Sequence, residues 1–520
     1  MQKKGGARGS AAAIAQTPWR PSAIVFRFAA YWVYFAIGTF LFTKLDRFGF
    51  ELATRKYSQD LVNQIFGSEY PDGYLFGWHD GTGSPRGQDL ITVVLAEQTS
   101  LDAWAEYWPP TFGFHAEVLD QICMRRPKAV FIDIIFRDRR GDGTLEKLQA
   151  AIHRCVCANV NDGNGVDVYL ASPTEAKRSP ILPELLTPGA CGRKAVAVRV
   201  PKVTDAQDRG NREYPLVYAQ ADGTRSTAAL QLFQKHLCRE DETESRCGPS
   251  LERYRDTMQL FWGTRLARFS DQDCQLPDNG VLRALTARIL GNPEKFRLNC
   301  PYTQTITALN LLQAPLVHTP DNVTPLVTGK VVLYAMHVSG SGDLVYPATH
   351  KKLPGVYLHA MAIDNLVTYG DRYLRAIPEG IEIGTDGITL RVITFDALVF
   401  SLFAAVAAVL RIRRERNSET EHPTHTDESS SQETAQRVSH LRFAYRFGAR
   451  FALWLGARVG VPIVVVVLAG TVGLRFFRLA PLNWFGFILL AESADWLIEI
   501  KERVAGAIDQ SWSESTGRSK

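Results

Sequence analysis

Three residues in the middle of the chain have side chains and positions suited to ligand binding: Asp133, Asp343 and His359. Asp133 interrupts an apolar run, where an unpartnered carboxylate is costly. Asp343 follows a second apolar run in a glycine-rich turn, and His359 lies among apolar residues of a predicted helix. Open α/β sheets bind ligands at the carboxyl ends of their strands, so ligand contact is one interpretation of all three. The alternatives are that the aspartates cap a helix or hold a loop, and that His359 is a structural core residue.

Catalytic motifs are missing from the sequence. Ser341 lies between Gly340 and Gly342, but Ser339 and Asp343 stand where a G-x-S-x-G nucleophile turn needs glycine. The sequence contains no phosphate-binding loop, no dinucleotide glycine pattern and no HExxH. We therefore expect no enzyme activity, no cofactor and no metal.

The elements that must position these residues alternate between strand and helix. Continuous β-branched apolar runs are typical of buried parallel strands, and runs with apolar residues three and four apart are typical of helices. The order predicts an α/β domain with a mostly parallel sheet and covering helices. The predicted strands are residues 90–96, 128–136, 168–171 and 330–336, and the predicted helices are residues 115–124, 145–152 and 356–367.

Long apolar segments near both ends predict α-helical transmembrane segments beside this domain. The segments are residues 23–42, 392–410, 459–474 and 482–498. The last one contains Glu492 and Asp495, which are costly in hydrocarbon, so three crossings instead of four is the alternative.

The Lys and Arg residues around these segments predict the orientation, since cytoplasmic flanks collect them. Residues 1–22 and 499–520 become cytoplasmic tails, 411–450 a partly disordered cytoplasmic loop, and 45–390 an extracytoplasmic domain. A cleaved signal peptide or a mitochondrial presequence is the alternative for the start. The net charge of +5 over 520 residues, without a basic stripe in the middle, gives no reason to expect nucleic acid as a partner.

All eight cysteines lie in the segment predicted to be exported, which favours disulfides. Cys238 and Cys247 are the expected local pair, and the other connectivity is left open. Zinc is the alternative, but Cys155 and Cys157 have the wrong spacing for a zinc site, and the histidines of residues 417–440 are expected to be solvated.

Several stretches resemble the CHASE2 extracytoplasmic sensor domain of bacterial receptors. They read ITVVLAEQTS, EYWPPTFGFHAEVLDQI, RRPKAVFIDIIF, ADGTRSTAALQLFQ and GKVVLYAMHVSGSGDLVYPATHKKLPGVYLHAMAIDNLVTYG. The resemblance implies one crossing, the sensor domain and then three crossings. Two features depart from the family: its Pro-Trp-Pro-like turn is reduced to Trp108-Pro109-Pro110, and residues 238–300 are long and cysteine-rich.

The resemblance implies a membrane sensor, with its large domain in the periplasm and its helices in the bacterial inner membrane. Residues 499–520 are too few for a catalytic domain, so we expect the sensor to bind an unknown extracytoplasmic ligand and to signal through a separate protein. Glu492 and Asp495 are candidates for coupling to that partner, or are solvated at the membrane interface. The rival function is a structural or assembly protein of the envelope whose exported domain docks a protein partner.

Overall fold

The computed structural model describes most of the middle of the chain. The described residues are 86–158, 165–173, 180–201, 212–220, 223–238, 250–265, 267, 297–314, 322–338 and 343–375, with scattered residues between 25 and 71. Contacts divide the chain into one unit of residues 1–54, 392–468 and 484–520 and a second unit of residues 55–391 and 469–483. In the first unit only Val25, Ala29 and Val33 are described, and each is helical.

The membrane segments predicted above fall almost wholly outside the described residues. Among the residues that are described, no helix is both long and apolar enough to cross a membrane. The segments at 392–410, 459–474 and 482–498 lie entirely outside them, as do Glu492 and Asp495.

Twelve strands and eight α-helices lie wholly within the described residues. The strands are β1 (Ile91–Glu97), β2 (Ala129–Ile132), β3 (Asp167–Pro173), β4 (Val196–Val200), β5 (Glu213–Tyr214), β6 (Val217–Gln220), β7 (Gly223–Ser226), β8 (Met258–Gln259), β9 (Gln304–Thr307), β10 (Val331–His337), β11 (Leu344–Val345) and β12 (Leu353–Pro354). The helices are α1 (Gly87–Leu90), α2 (Gln98–Ala103), α3 (Phe112–Met124), α4 (Leu145–Cys157), α5 (Ala228–Leu232), α6 (Ala308–Gln313), α7 (Thr324–Val327) and α8 (Val356–Tyr369). A π-helical turn, Phe233–Leu237, continues α5.

Six strands form one parallel sheet in the order β4-β3-β2-β10-β1-β9. β1 and β2 follow one another along the chain but are not neighbours in the sheet. β10, which comes some two hundred residues later in the sequence, lies between them. The predicted parallel sheet with covering helices is therefore confirmed. The four predicted strands and three predicted helices are all present, although β2 ends at Ile132 and is shorter than the apolar run of residues 128–136.

Alternation along the strands divides the side chains between two faces of the sheet. On one face, Val94, Val130 and Val332 pack in a core with α3, α4 and α6. On the other face, α8 packs against β1 and β10. Thirteen of the fourteen residues of α8 are buried, so any polar side chain on this helix must find a partner within the fold.

Disulfides join α3 to α4 and α4 to a loop before β4. Cys123 of α3 pairs with Cys155 of α4, and Cys157 pairs with Cys191, with Cα atoms 5.4 and 5.6 Å apart. At least two intramolecular disulfides are thus present, as the cysteine distribution predicted. Cys238 is also disulfide-bonded, but Cys247 lies outside the described residues, so pairing between these two stays a prediction.

Candidate functional site at the carboxyl end of the sheet

Asp133 lies at the carboxyl end of β2, and not in the middle of a strand as the apolar run suggested. Its backbone N–H donates to the carbonyl oxygen of Tyr334 at 2.8 Å, which is the last link between β2 and β10. Side chains two residues apart on a strand share a face, so Asp133 points, like Phe131, toward the face that α8 covers. The side chain is 12% exposed, so the carboxyl group is close to fully removed from water.

His359, in the first turn of α8, meets Asp133. Its Nε2 atom lies 3.6 Å from Oδ2 of Asp133, and its Nδ1 atom lies 2.8 Å from the hydroxyl of Tyr214. The imidazole also packs edge-on against the rings of Phe131 and Tyr214, with centroids 5.4 and 5.6 Å apart. These contacts hold the imidazole between two aromatic rings and the carboxyl group of Asp133.

Asp343 reaches the same place from the loop that follows β10. Its carbonyl oxygen accepts a hydrogen bond from the N–H of Gly355 at 3.1 Å. Its carboxylate occupies the space that a Cβ atom at position 355 would need. Glycine at the residue before α8 therefore leaves room for this carboxylate, and any larger side chain would displace it.

Burial and mutual repulsion shift the pKa values of this cluster. Burial raises the pKa of Asp133 to about 7. Burial also raises the pKa of Asp343 to about 6, with a further contribution from the Asp133 charge that His359 and His337 partly offset. Burial lowers the pKa of His359 to about 4, against the opposing effect of Asp343. At neutral pH the imidazole is therefore neutral, while the two carboxyl groups titrate within reach of physiological pH.

The structure thus brings together all three residues that the sequence singled out, at the carboxyl ends of the strands. Residues 339–342, which include Ser341, lie outside the described residues. Within the described ranges, no group of three His, Cys, Asp or Glu side chains could hold a metal ion.

Sequence reasoning missed two residues of this site, Tyr214 and His337. His337 ends β10 on the same face as Asp133, and its Nδ1 atom is buried without a hydrogen-bond partner in the described structure. Its place at the end of an apolar strand was a usable signal. Tyr214 belongs to a two-residue strand, and nothing in its local sequence indicates that it reaches α8.

A second polar cluster holds the other end of α8. The hydroxyl of Tyr70 donates to Asp364 at 2.5 Å and lies 3.1 Å from the hydroxyl of Thr368. The amide of Asn365 donates to the same hydroxyl at 3.3 Å, and the Asp364 carboxylate packs on the Cα atom of Gly87. Burial raises the pKa of Asp364 to about 7. Helix α8 therefore contacts a buried cluster with carboxyl groups near each of its ends.

A family model of the CHASE2 domain matches residues 33–406, which is more than half of the chain. The chain belongs to the CHASE2 domain family. CHASE2 domains are extracellular sensor domains, and the parallel sheet, the strand-end cluster and α8 all lie within the matched region. Comparison with curated proteins and with solved structures gave no significant match.

Proposed function

We propose that this CHASE2 protein is a membrane-anchored sensor that binds a small molecule outside the cytoplasm and passes the signal to a separate protein. The observation that carries the proposal is the convergence of Asp133, Asp343 and His359 at the carboxyl end of the parallel sheet, where ligands of open α/β folds bind. The family's sensor role supports it. The protein itself would have no catalytic role and would sit in a bacterial inner membrane with this domain in the periplasm.

The chemistry of the cluster limits the ligand. Two carboxyl groups and a neutral imidazole offer acceptors, and Asp133 and Asp343 have no Lys or Arg partner in the described part of the chain. A ligand that donates hydrogen bonds or carries positive charge would relieve the burial cost of these groups. Sugars, amides and amines fit this requirement better than anions do.

Helix α8 supports the relay. The helix begins at Val356, contacts the cluster through His359 and runs past Asp364 to Tyr369. Further along the chain lies the segment 392–410, which is predicted to cross the membrane. A ligand that shifts the start of α8 moves a helix that is buried along its length, and packed helices move as units. The polar stretch 417–440 has too few apolar residues for a folded output domain, so the proposal places the output in another protein.

A thermal-shift screen of the purified full-length chain tests the ligand site. Compounds that raise the unfolding temperature are re-measured on Asp133→Asn, His359→Gln and Gly355→Ala. Gly355→Ala leaves the charge of the cluster unchanged and displaces the Asp343 carboxylate. We expect each variant to lose at least half of the stabilisation.

Matched controls are Asp138→Asn, which makes the same change at an exposed position, and Gly141→Ala, where an added Cβ meets nothing within 4 Å. Both should respond as the wild type does. Equal stabilisation of all variants, or a library of sugars, amides and amines without a single stabilising compound, would contradict the site.

A second candidate function, docking of an envelope protein, is favoured by the segment after α2. Tyr107, Trp108 and Trp104 expose 84%, 51% and 37% of their surfaces, and exposed aromatic groups are frequent energetic centres of protein interfaces. Replacing Tyr107 and Trp108 by serine tests this function. Loss of a co-purifying protein from the double variant, with ligand-induced stabilisation unchanged, would favour docking at this segment.

A further inference from the structure

A separate cavity lies beside the edge strand of the sheet. It has a volume of about 500 Å³ and is bounded by β4, by the β6–β7 hairpin and by the helical segment of α5 and its π-helical turn. Cavities of this size are typical of small-molecule sites. None of its lining residues belongs to the cluster around Asp133.

Three cations line this cavity, Arg199, Arg225 and Lys235, and its described lining includes no acidic residue. The contacts of Arg199 are with neutral oxygens: its Nη1 atom donates to Ser172 at 2.9 Å and to the carbonyl of Pro173 at 2.6 Å. An arginine has five N–H donors, so three, on Nε and Nη2, have no partner in the described part of the chain.

Lys235 is likewise not neutralised by its neighbour. Its Nζ atom lies 5.9 Å from the ring centroid of Tyr169, an uncharged partner. Arg199 of β4 and Lys235 of the π-helical turn therefore contribute positive charge that no partner in the described part of the chain cancels, and Arg225 of β7 lines the same cavity.

Neutral hydrogen-bond donors complete the lining. Gln231 and Gln234 precede Lys235 on one continuous helical segment, and Ser226 ends β7. The π-helical turn buries its other side, where His236 meets the hydroxyl of Tyr169 at 2.8 Å. π-Helical turns occur frequently at functional sites, and here the turn fixes which side chains face the cavity.

We propose that this cavity binds a small anion that carries carboxylate or phosphate groups. Arginine pairs with such groups through parallel N–H donors, and lysine adds a point charge. The proposal goes beyond the sensor function, since it uses other residues and a ligand of opposite charge. It stands or falls independently of the cluster around Asp133.

Calorimetric titration of the full-length chain tests the proposal. Inorganic phosphate and succinate serve as probes, succinamide is the uncharged analogue, and 150 mM NaCl suppresses unspecific attraction. We expect saturable binding of at least one anion and none of succinamide. Arg225→Gln and Lys235→Gln should each weaken binding at least fivefold, and the double variant should lose it.

Both substituted side chains are exposed, so their replacement leaves the core intact. Lys147→Gln on the exposed side of α4 is the control and should change the affinity less than twofold. Phosphate binding without succinate binding would assign the site to phosphate compounds, and the reverse would assign it to carboxylates. Binding of neither anion, binding of succinamide with equal affinity, or equal affinity of the double variant and the control would overturn the proposal.

Discussion

Replacing Asp133 by asparagine should remove a pH-dependent loss of stability. In the unfolded chain the carboxyl ionises above its ordinary pKa of 3.8, whereas burial in the folded chain raises the pKa to about 7. Between about pH 4 and pH 7 the folded state therefore binds more protons than the unfolded state. The free energy of unfolding must fall as the pH rises through this window.

The pKa difference sets the size of the effect. At 1.36 kcal/mol for each factor of ten in the ionisation constant, the change from 3.8 to about 7 corresponds to roughly 4 kcal/mol as an upper limit. Asparagine is neutral at every pH and mimics the protonated carboxyl. The variant and the wild type should thus have similar stability at pH 4.5, and the variant should be the more stable protein at pH 8.

Thermal unfolding of the full-length chain at pH 4.5, 6, 7 and 8 measures this difference. About 3 of the roughly 4 kcal/mol falls between pH 4.5 and pH 8, because the unfolded carboxyl is already mostly ionised at pH 4.5. For a domain of this size 1 kcal/mol shifts the unfolding temperature by roughly 2 °C, so the variant should gain up to about 6 °C relative to the wild type between the two extremes. Asp138→Asn should follow the wild type at every pH. Parallel curves for the wild type and Asp133→Asn would refute the conclusion that this carboxyl is buried and protonated near neutrality.

Three further predictions concern parts of the chain around this site. Reporter fusions at Gly210 and Ser430 should give opposite compartment readouts, because Arg and Lys residues flank the apolar segments on one side; matching readouts would contradict the topology. Joint replacement of Glu492 by Gln and Asp495 by Asn should abolish co-purification of a partner without impairing membrane insertion; an unchanged complex would leave both as solvated residues. Mass spectrometry of the unreduced protein should find a disulfide-linked peptide that joins Cys238 to Cys247, and a free thiol at Cys247 would contradict the pairing.

The sequence predicted the central strands well because their burial leaves a strong signal. β1, β2, β3 and β10 are continuous apolar runs covered on both faces, and such runs can be read from hydrophobicity alone. β4 and β9 were missed. They are the edge strands, and Gln304–Thr307 is too polar to stand out.

The order of the strands could not be read in the same way. The insertion of β10 between β1 and β2 depends on pairing across more than two hundred residues, and nothing in the local sequence encodes that separation. The disulfide partners of Cys123 and Cys157, 32 and 34 residues away, could not be read from the local sequence either, because they depend on how α3, α4 and the following loop pack.

Three members of the candidate site were predictable from the sequence. Asp133, Asp343 and His359 stood out because each is a titratable residue in an apolar or glycine-rich setting. Their convergence follows from the parallel sheet, since the carboxyl ends of its strands meet at one edge. Tyr214, which holds the imidazole, comes from a short strand whose position is set by tertiary packing.

Hydrogen exchange along α8 tests the central claim most directly. The full-length chain is compared with and without the compound that gives the largest shift in the thermal screen, in the wild type and in Asp133→Asn. The proposed relay predicts that the compound changes the protection of backbone amides from His359 through to Tyr369 in the wild type and not in the variant. A change confined to the first turn of α8, or the same change in both proteins, would contradict it.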